Sequence, residues 1–263
     1  MKVYIPKITG MDIYYDSTSK NIMHNEKPAE KSIRCLKDIK EVVYDKTWTQ
    51  KTNPERKMYY MSRNIYEEQD KESIINKNLR YDITVIPPDL MGCEYVKTLG
   101  HRHPNIPKTD ISYTEIYQVL NGCAIFIIEK TENKKTEFIH IHAKVGEIVI
   151  VPPNYSHITI NPSNEILIIS NWVADNFKSD YRQVIKTHGL AYYYIKKDTE
   201  DVWISNPNYK NETTIKQIEP VNPELIGLKK DEPLYNLIKT QSHLEFLNEP
   251  QKYETLFKKV LSQ

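Results

Sequence analysis

The sequence predicts a mainly β protein, folded as a barrel or a sandwich of short strands. Two observations support this prediction. From residue 81 onward, short runs rich in β-branched and aromatic residues follow one another, among them "YDITVIP", "AIFIIEK", "TEFIHIHA" and "EILIISNWVA". Turn-forming Pro, Asn, Gly or Asp residues separate many of these runs, a spacing typical of all-β barrels and sandwiches.

Three regions of the 263 residues differ in composition. Residues 1–80 are polar and mixed, and we expect this segment to pack on the barrel formed by residues 81–210. Within it, "SIRCLKDIKEVV" predicts a helix, because its apolar residues recur at helical spacing. These residues are Ile33, Leu36, Ile39 and Val42. Residues 211–263 predict a helical extension, since "EPLYNLIK" and "EPQKYETLFKKVL" each place a proline early in a short helix.

Charge and composition exclude several classes of partner. The chain has 36 Lys and Arg residues against 35 Asp and Glu, a net charge of +1, so its surface as a whole favours neither nucleic acid nor an anionic membrane. Cys35, Cys93 and Cys123 form no CxxC pair, which is typical of free thiols in a reducing compartment. No apolar run approaches the ~20 residues of a membrane span. We therefore expect a cytoplasmic protein without a nucleic-acid or membrane partner.

The stretch "GHRHPNIPKTDISYTEIYQVLNG" supplies candidate metal ligands. Alternate residues of a strand point to the same side, so His101 and His103 would face together, away from Arg102. Glu115 follows in the same stretch, and "GEIVIVPPNYSHITIN" brings His157 back on a returning strand. Imidazole nitrogens and a carboxylate oxygen are ligands of divalent first-row metals. The sequence therefore predicts one four-ligand metal site.

Two features complicate this assignment. Residues 104–114 separate His103 from Glu115, and this insert must loop out and return if Glu115 is a ligand. "FIHIHA" offers a second histidine pair, His140 and His142, but no glutamate and glycine follow at a suitable spacing. We expect this second pair to be structural.

The two motifs, a histidine pair with glutamate and glycine, then glycine with proline, histidine and asparagine, resemble those of the cupin superfamily. "TLGHRH", "TEIYQVLNG", "VPPNYSHITIN", "NWVADNFKSDYRQVIKTHG" and the upstream "KSIRCLKDIKEVVYDKTW" are similar to the cupin-type glucose-6-phosphate isomerases, known mainly from archaea and some bacteria. The resemblance covers about residues 30–210. It implies a cupin double-stranded β-helix (a jelly-roll barrel), a homodimer, and metal-dependent interconversion of glucose 6-phosphate and fructose 6-phosphate in glycolysis and gluconeogenesis.

The resemblance also implies roles for single residues. The metal ligands, for one divalent ion per subunit, would be His101, His103, Glu115 and His157. The phosphate and sugar contacts would be Thr84, Thr98, Gly100, Tyr117 and Tyr181. Hydroxyls and a glycine N–H suit phosphate because they donate hydrogen bonds without bulk. The predicted catalytic residues are Glu115 and His157.

Two positions depart from the family pattern. Lys178-Ser179 stands where the family has a substrate-contacting histidine, and Trp172 stands where a tyrosine is usual. Lys178 would either replace phosphate affinity as a point charge or mark a different substrate.

The sequence leaves three questions open: the identity of the metal, the route of the hydrogen transfer and the class of function. We favour Fe(II), but the same ligands accept Mn(II), Ni(II) or Zn(II). Glu115 would carry a proton through a cis-enediol, whereas a hydride shift needs no base. The other functions are a non-catalytic sugar-phosphate-binding cupin and another cupin enzyme such as a dioxygenase, which has no need of phosphate-binding threonines.

Overall fold

The computed structural model describes residues 2–240 and 243–263. The strands are β1 (Lys2–Tyr4), β2 (Ile13–Asp16), β3 (Asn21–His24), β4 (Lys27–Pro28), β5 (Lys31–Cys35), β6 (Lys57–Ser62), β7 (Leu79–Ile86), β8 (Leu90–Met91), β9 (Glu94–Tyr95), β10 (His101–Arg102), β11 (Glu115–Asn121), β12 (Cys123–Glu132), β13 (Lys135–Lys144), β14 (Ile148–Val151), β15 (Ser156–Ile160), β16 (Leu167–Ala174), β17 (Tyr192–Lys197), β18 (Glu200–Ser205) and β19 (Glu212–Ile218). The α-helices are α1 (Pro6–Thr9), α2 (Leu36–Ile39), α3 (Lys46–Lys51), α4 (Lys71–Asn76), α5 (Arg182–Lys186) and α6 (Glu254–Leu261). Short 3-10 helices span Lys40–Val42, Glu68–Asp70, Pro223–Ile226, Leu234–Lys239, Glu245–Leu247 and Pro250–Lys252.

Two large sheets form the jelly roll. The six-stranded sheet has the order β14-β11-β16-β7-β6-β5, and the five-stranded sheet has the order β10-β15-β12-β13-β19. Neighbouring strands are antiparallel except for β13 and β19, which run parallel. Four strands of each sheet have the spatial order of a jelly roll, which is built from two Greek keys. These orders are β7-β16-β11-β14 and β10-β15-β12-β13. The predicted mainly β, jelly-roll fold is confirmed.

Apolar side chains cover both faces of the six-stranded sheet. The inner face packs against the five-stranded sheet through residues such as Val119, Ile169 and Phe126. The outer face forms a second core, in which Ile116 and Trp172 pack with segments from the two ends of the chain. Burial on both faces explains why strands such as "EILIISNWVA" read as nearly continuous apolar runs.

The N-terminal region contributes more to the sheet than expected. Strands β5 and β6 extend the six-stranded sheet beyond β7. The helix predicted from Ile33 to Val42 is wrong at its start, because Ile33 lies in β5 and pairs with Tyr60. Helical structure begins at Leu36, where the side chains turn into the inner core. Pairing with β6 thus overrides the local helical pattern.

The C-terminal region is helical after its first strand. β19 pairs with β13, and the two predicted helices are a 3-10 helix over Leu234–Lys239 and α6, the latter preceded by a 3-10 turn at Pro250. None of the helices in the described ranges is both long and apolar enough to cross a membrane. The domain boundaries at residues 80 and 210 stay predictions.

Candidate metal centre

Four side chains converge at one end of the jelly roll. The ligand atoms of His101, His103, Glu115 and His157 all lie within 4.8 Å of one another. Glu115 Oε2 lies 3.2 Å from Nε2 of His103 and 3.2 Å from Nε2 of His157, and Nε2 of His101 lies 3.2 Å from Nε2 of His103. Adjacent ligand atoms bound at about 2.1 Å to an octahedral ion are roughly 3 Å apart. The cluster therefore has the dimensions of a metal site.

Strand pairing brings these residues together. β10 and β15 are antiparallel, with His101 opposite His157, while Glu115 begins β11 on the facing sheet. Arg102 faces away from the cluster, as the alternation predicts, and donates to Asn154 Oδ1 at 3.0 Å. The segments around His101 and His157, which are distant in sequence, thus meet as neighbouring strands of one sheet, and Glu115 joins them from the facing sheet.

The insert returns the chain to the site. Asn105 and Ser112 form a β-bridge across residues 104–114, and Tyr113 ends the loop with its carbonyl 3.3 Å from Nδ1 of His103. A proton on Nδ1 would be donated to this carbonyl, which leaves the Nε2 lone pair directed at the cluster. The ring of Phe177 packs 4.6 Å from the His103 ring. The insert therefore orients one predicted ligand.

The polar atoms of the cluster fit a bound cation. Glu115 Oε2 and His157 Nε2 are buried, and neither has a hydrogen-bond partner in the part of the chain that the structure describes. Buried acceptors without a donor are costly. Since His103, Glu115 and His157 are each at most 5% exposed, water does not readily replace that donor. A divalent ion would satisfy both atoms.

Electrostatics keep these groups in their ligand forms. Burial, followed by the neighbouring His157 and His103, holds the pKa of His101 well below its ordinary value. Burial also lowers the pKa of His157, although Glu115 opposes this. For Glu115, burial alone would raise the pKa, but contacts with His103 and His157 outweigh it and hold the pKa well below its ordinary range. The cluster thus offers neutral imidazoles at His101 and His157 and a carboxylate at Glu115.

The cluster opens into a cavity of about 780 Å³, part of which is open to solvent. Five of the predicted substrate contacts line it with the ligands: Thr84, Thr98, Gly100, Tyr117 and Tyr181. Lys178 is exposed, and Ser179 instead belongs to the lining. Burial, followed by the Glu115 carboxylate, raises the pKa of Tyr117 well above its ordinary value, so its phenol stays protonated.

Gly100 occupies a position that excludes a side chain. Its φ is +81°, and an added Cβ would lie 2.5 Å from Cγ1 of Ile158. Only glycine adopts this left-handed conformation without strain. The glycine therefore keeps the cavity wall beside His101 free of bulk.

The cavity also contains residues that the sequence did not indicate. Arg34 and Tyr59 come from β5 and β6, and Arg80 and Asp82 come from β7. Arg34 donates to the Tyr181 hydroxyl at 3.3 Å, and Arg80 Nε donates to both carboxylate oxygens of Asp82 at 2.9 Å. The sequence could have indicated these residues as polar side chains on the inward-facing side of strands. That indication depends on assigning β5, β6 and β7 as strands first.

The second histidine pair lies outside this site. Nε2 of His142 lies 3.2 Å from Nδ1 of His140 on β13, and the His140 ring packs 5.2 Å from that of Trp203. The metal-ligand group found in the described ranges does not include either histidine. A structural role for the pair stays a prediction.

Comparison with known proteins identifies the family. A family model described as glucose-6-phosphate isomerase (GPI) matches residues 33–212. The curated glucose-6-phosphate isomerase of Pyrococcus horikoshii is 27% identical over 184 residues, which are 70% of this chain and 90% of the relative. That of Thermococcus kodakarensis is 29% identical over 182 residues, covering 69% and 89% of the two chains.

Among solved structures, the oxalate decarboxylase of Lactobacillus farciminis in complex with formate aligns with 40% of this chain and 27% of its own. The identity is 18% and the TM-score is 0.31. The assignment therefore depends on the family model, whose matched range contains every residue of the metal-ligand cluster. The chain belongs to the family of glucose-6-phosphate isomerases.

Proposed function

We propose that this chain is a metal-dependent isomerase that interconverts glucose 6-phosphate and fructose 6-phosphate. The observation that carries the proposal is the four-residue cluster at the base of a cavity whose wall holds a cationic arginine. The names of the curated relatives support the same substrate pair. The metal centre would bind the aldehyde or ketone end of the sugar, and the cationic wall of the cavity would bind the phosphate.

Arg34 supports an anion in the same cavity as the metal cluster. Its Nε atom is buried and lacks a hydrogen-bond partner among the described residues, and its guanidinium carbon lies 5.5 Å from the ring centre of Tyr181. An unsatisfied buried donor on a cation is costly unless a ligand supplies an acceptor. A phosphate group has the charge and the oxygen atoms to do so. We therefore add Arg34 to the proposed substrate-binding residues.

Other residues beside Arg34 offer donors to the same anion. Thr98 Oγ1 accepts from Thr159 N at 3.1 Å, which leaves its hydroxyl proton free to donate. Thr84, on strand β7 of the sheet that also contains Arg34, is 9% exposed and lines the same cavity. With the Gly100 N–H, these hydroxyls form the phosphate site that we propose. Lys178, which is exposed, stays a predicted contact.

The isomerisation moves a hydrogen between C1 and C2 of the sugar. A bound divalent ion would act as a Lewis acid on the carbonyl and hydroxyl oxygens. Tyr117, protonated and buried next to Glu115, would donate a hydrogen bond to an oxygen of the sugar. Glu115, the carboxylate of the metal cluster, is our proposed base for a cis-enediol route, whereas a hydride shift would leave it as a ligand only.

Solvent isotope exchange separates these two routes. The enediol route passes a proton through a group that exchanges with water, so turnover in D₂O would leave deuterium in the product. A hydride shift would leave none. A Glu115→Gln variant that retained metal and full activity would also exclude the base role.

The main experiment is conversion of fructose 6-phosphate to glucose 6-phosphate by the purified chain. We expect activity that falls on chelation and returns with Fe(II) or Mn(II). Binding of fructose 6-phosphate without conversion would instead indicate a sugar-phosphate-binding protein. Oxygen consumption in the same assay would indicate an oxygenase. We also propose Fe(II) as the favoured metal, a homodimer and a cytoplasmic location. Metal analysis of protein purified from its source would test the metal, and light scattering would test the oligomeric state.

A further inference from the structure

The C-terminal strap, which we define as residues 222–240 and 243–261, packs on the outer face of the six-stranded sheet. Its buried apolar residues, including Leu234, Leu237 and Phe246, share one core with outward-facing residues of that sheet. The strap lies beyond the range matched by the family model, which ends at residue 212. Glu115 projects from the opposite, inner face of the same sheet into the metal cluster.

Strand β11 connects the two faces. Alternation along the strand turns Glu115 and Tyr117 into the cavity and turns the residues between and beside them towards the strap. Thr114, immediately before Glu115, donates from Oγ1 to the Phe246 carbonyl at 3.0 Å. Thr114 is 0% exposed. One strap bond therefore lies one residue from a proposed ligand.

Gln118 makes a matching pair of bonds at the other side of Tyr117. Its Nε2 donates to the Glu232 carbonyl at 3.0 Å, and its Oε1 accepts from the Leu234 backbone N–H at 2.8 Å. Gln118 is also 0% exposed. The strap thus holds β11 on both sides of the two residues that face the cavity.

The neighbouring strand is held in the same way. Trp172 of β16 pairs with Ile116 of β11, and its indole Nε1 donates to the Leu234 carbonyl at 3.1 Å. The indole of Trp172 therefore faces the strap and not the cavity.

We propose that the C-terminal strap is a positioning element, which holds β11 so that the Glu115 carboxylate stays in ligand geometry. The proposal rests on the metal site of the proposed function. Loss of a group that orients a ligand typically costs about 10- to 100-fold in metal affinity. Thr114 and Gln118 are positioning residues, since they act through the backbone of Glu115 and not on the metal or the substrate.

The test measures Co(II) affinity of the full chain by competition with a chelator, together with the visible absorption of the bound Co(II). Thr114→Val and Gln118→Met keep the side-chain volume and remove the strap bonds. We expect each to weaken Co(II) binding about 10- to 100-fold and to change the Co(II) spectrum. Thr114→Ser, which keeps the hydroxyl, should bind within threefold of the wild type.

Tyr235→Phe is the matched control. The Tyr235 hydroxyl donates to Asp70 at 3.0 Å and accepts from the Glu67 N–H at 2.9 Å, so its loss removes strap bonds that do not touch β11. We expect the control to lose stability in urea but to keep Co(II) affinity within threefold. Unchanged affinity in folded Thr114→Val and Gln118→Met, or an equal loss in Tyr235→Phe, would overturn the proposal, as would a wild type that binds no Co(II).

Isomerase activity is not the readout of this test. A wild type that binds Co(II) but converts no sugar phosphate would contradict the proposed function alone. The positioning role would still be decided by the ratio of the affinities.

Discussion

Replacing Arg34 by glutamine should lower kcat/KM for the phosphorylated substrate while leaving the protein folded. Two unit charges 4 Å apart interact with about 4 kcal/mol at an effective dielectric constant of 20. Arg34 is only partly buried, and solvent screening reduces this value to about 2 kcal/mol. A change of about 2 kcal/mol corresponds to roughly a 30-fold loss of kcat/KM for fructose 6-phosphate.

The assay compares Arg34→Gln with the wild type and with Arg182→Gln, each loaded with the same metal. Arg182 follows Tyr181 directly but is exposed and pairs with Asp180, so its loss removes the same charge outside the cavity. We expect Arg182→Gln to stay within threefold of the wild type. Inorganic phosphate should inhibit the wild type and inhibit Arg34→Gln much less.

Equal kcat/KM values for folded, metal-loaded Arg34→Gln and the wild type would refute this reasoning. Equal inhibition of the two by phosphate would refute it as well. The phosphate would then be held by the threonines and Gly100 without the arginine.

Three further predictions follow from single residues. Gly100→Ala forces a Cβ against Ile158 in a left-handed conformation and should cost about 1–3 kcal/mol of the free energy of unfolding in urea; a change below about 0.5 kcal/mol would contradict the clash. Burial raises the pKa of Glu129 to about 7 from 4.5, so its contribution to stability is complete below pH 4.5 and is lost as the pH rises through 7. The free energy of unfolding of Glu129→Gln, relative to that of the wild type, should therefore rise by about 3 kcal/mol between pH 4 and pH 8. A difference between the two proteins that does not change with pH would argue against this. Lys178→Gln tests the predicted contact with the phosphate by removing an exposed charge that does not line the cavity. If the contact forms, kcat/KM should fall about two- to fivefold; an unchanged kcat/KM would contradict it.

The metal cluster was predictable because its signals are local. The alternation at His101 and His103 and the turn before His157 each act over a few residues, and strand geometry converts them directly into side-chain direction. The insert did not obscure Glu115, because its ends are joined by the bridge between Asn105 and Ser112. Motif residues and strand periodicity were therefore sufficient for the cluster.

Arg34 and the strap were not predictable for the opposite reason. Arg34 meets Tyr181 only because β5 joins the sheet, and the sequence indicated a helix where that strand ends. The extension was predicted to contain helices, but its sequence pattern does not indicate which face of which sheet it packs against. Bonds such as that from Thr114 to Phe246 join residues far apart in sequence, and local patterns carry no information about such pairs.

The most direct test of the central claim is a titration of the chelated chain with Fe(II) or Mn(II), with glucose 6-phosphate formation measured at each step. The proposed site predicts that turnover rises linearly with added ion and stops rising at one ion per chain, and that a His157→Ala variant shows no such rise. Full turnover by the chelated chain, or no turnover by a folded chain loaded with one ion, would contradict the claim that this site is the centre of a metal-dependent isomerase.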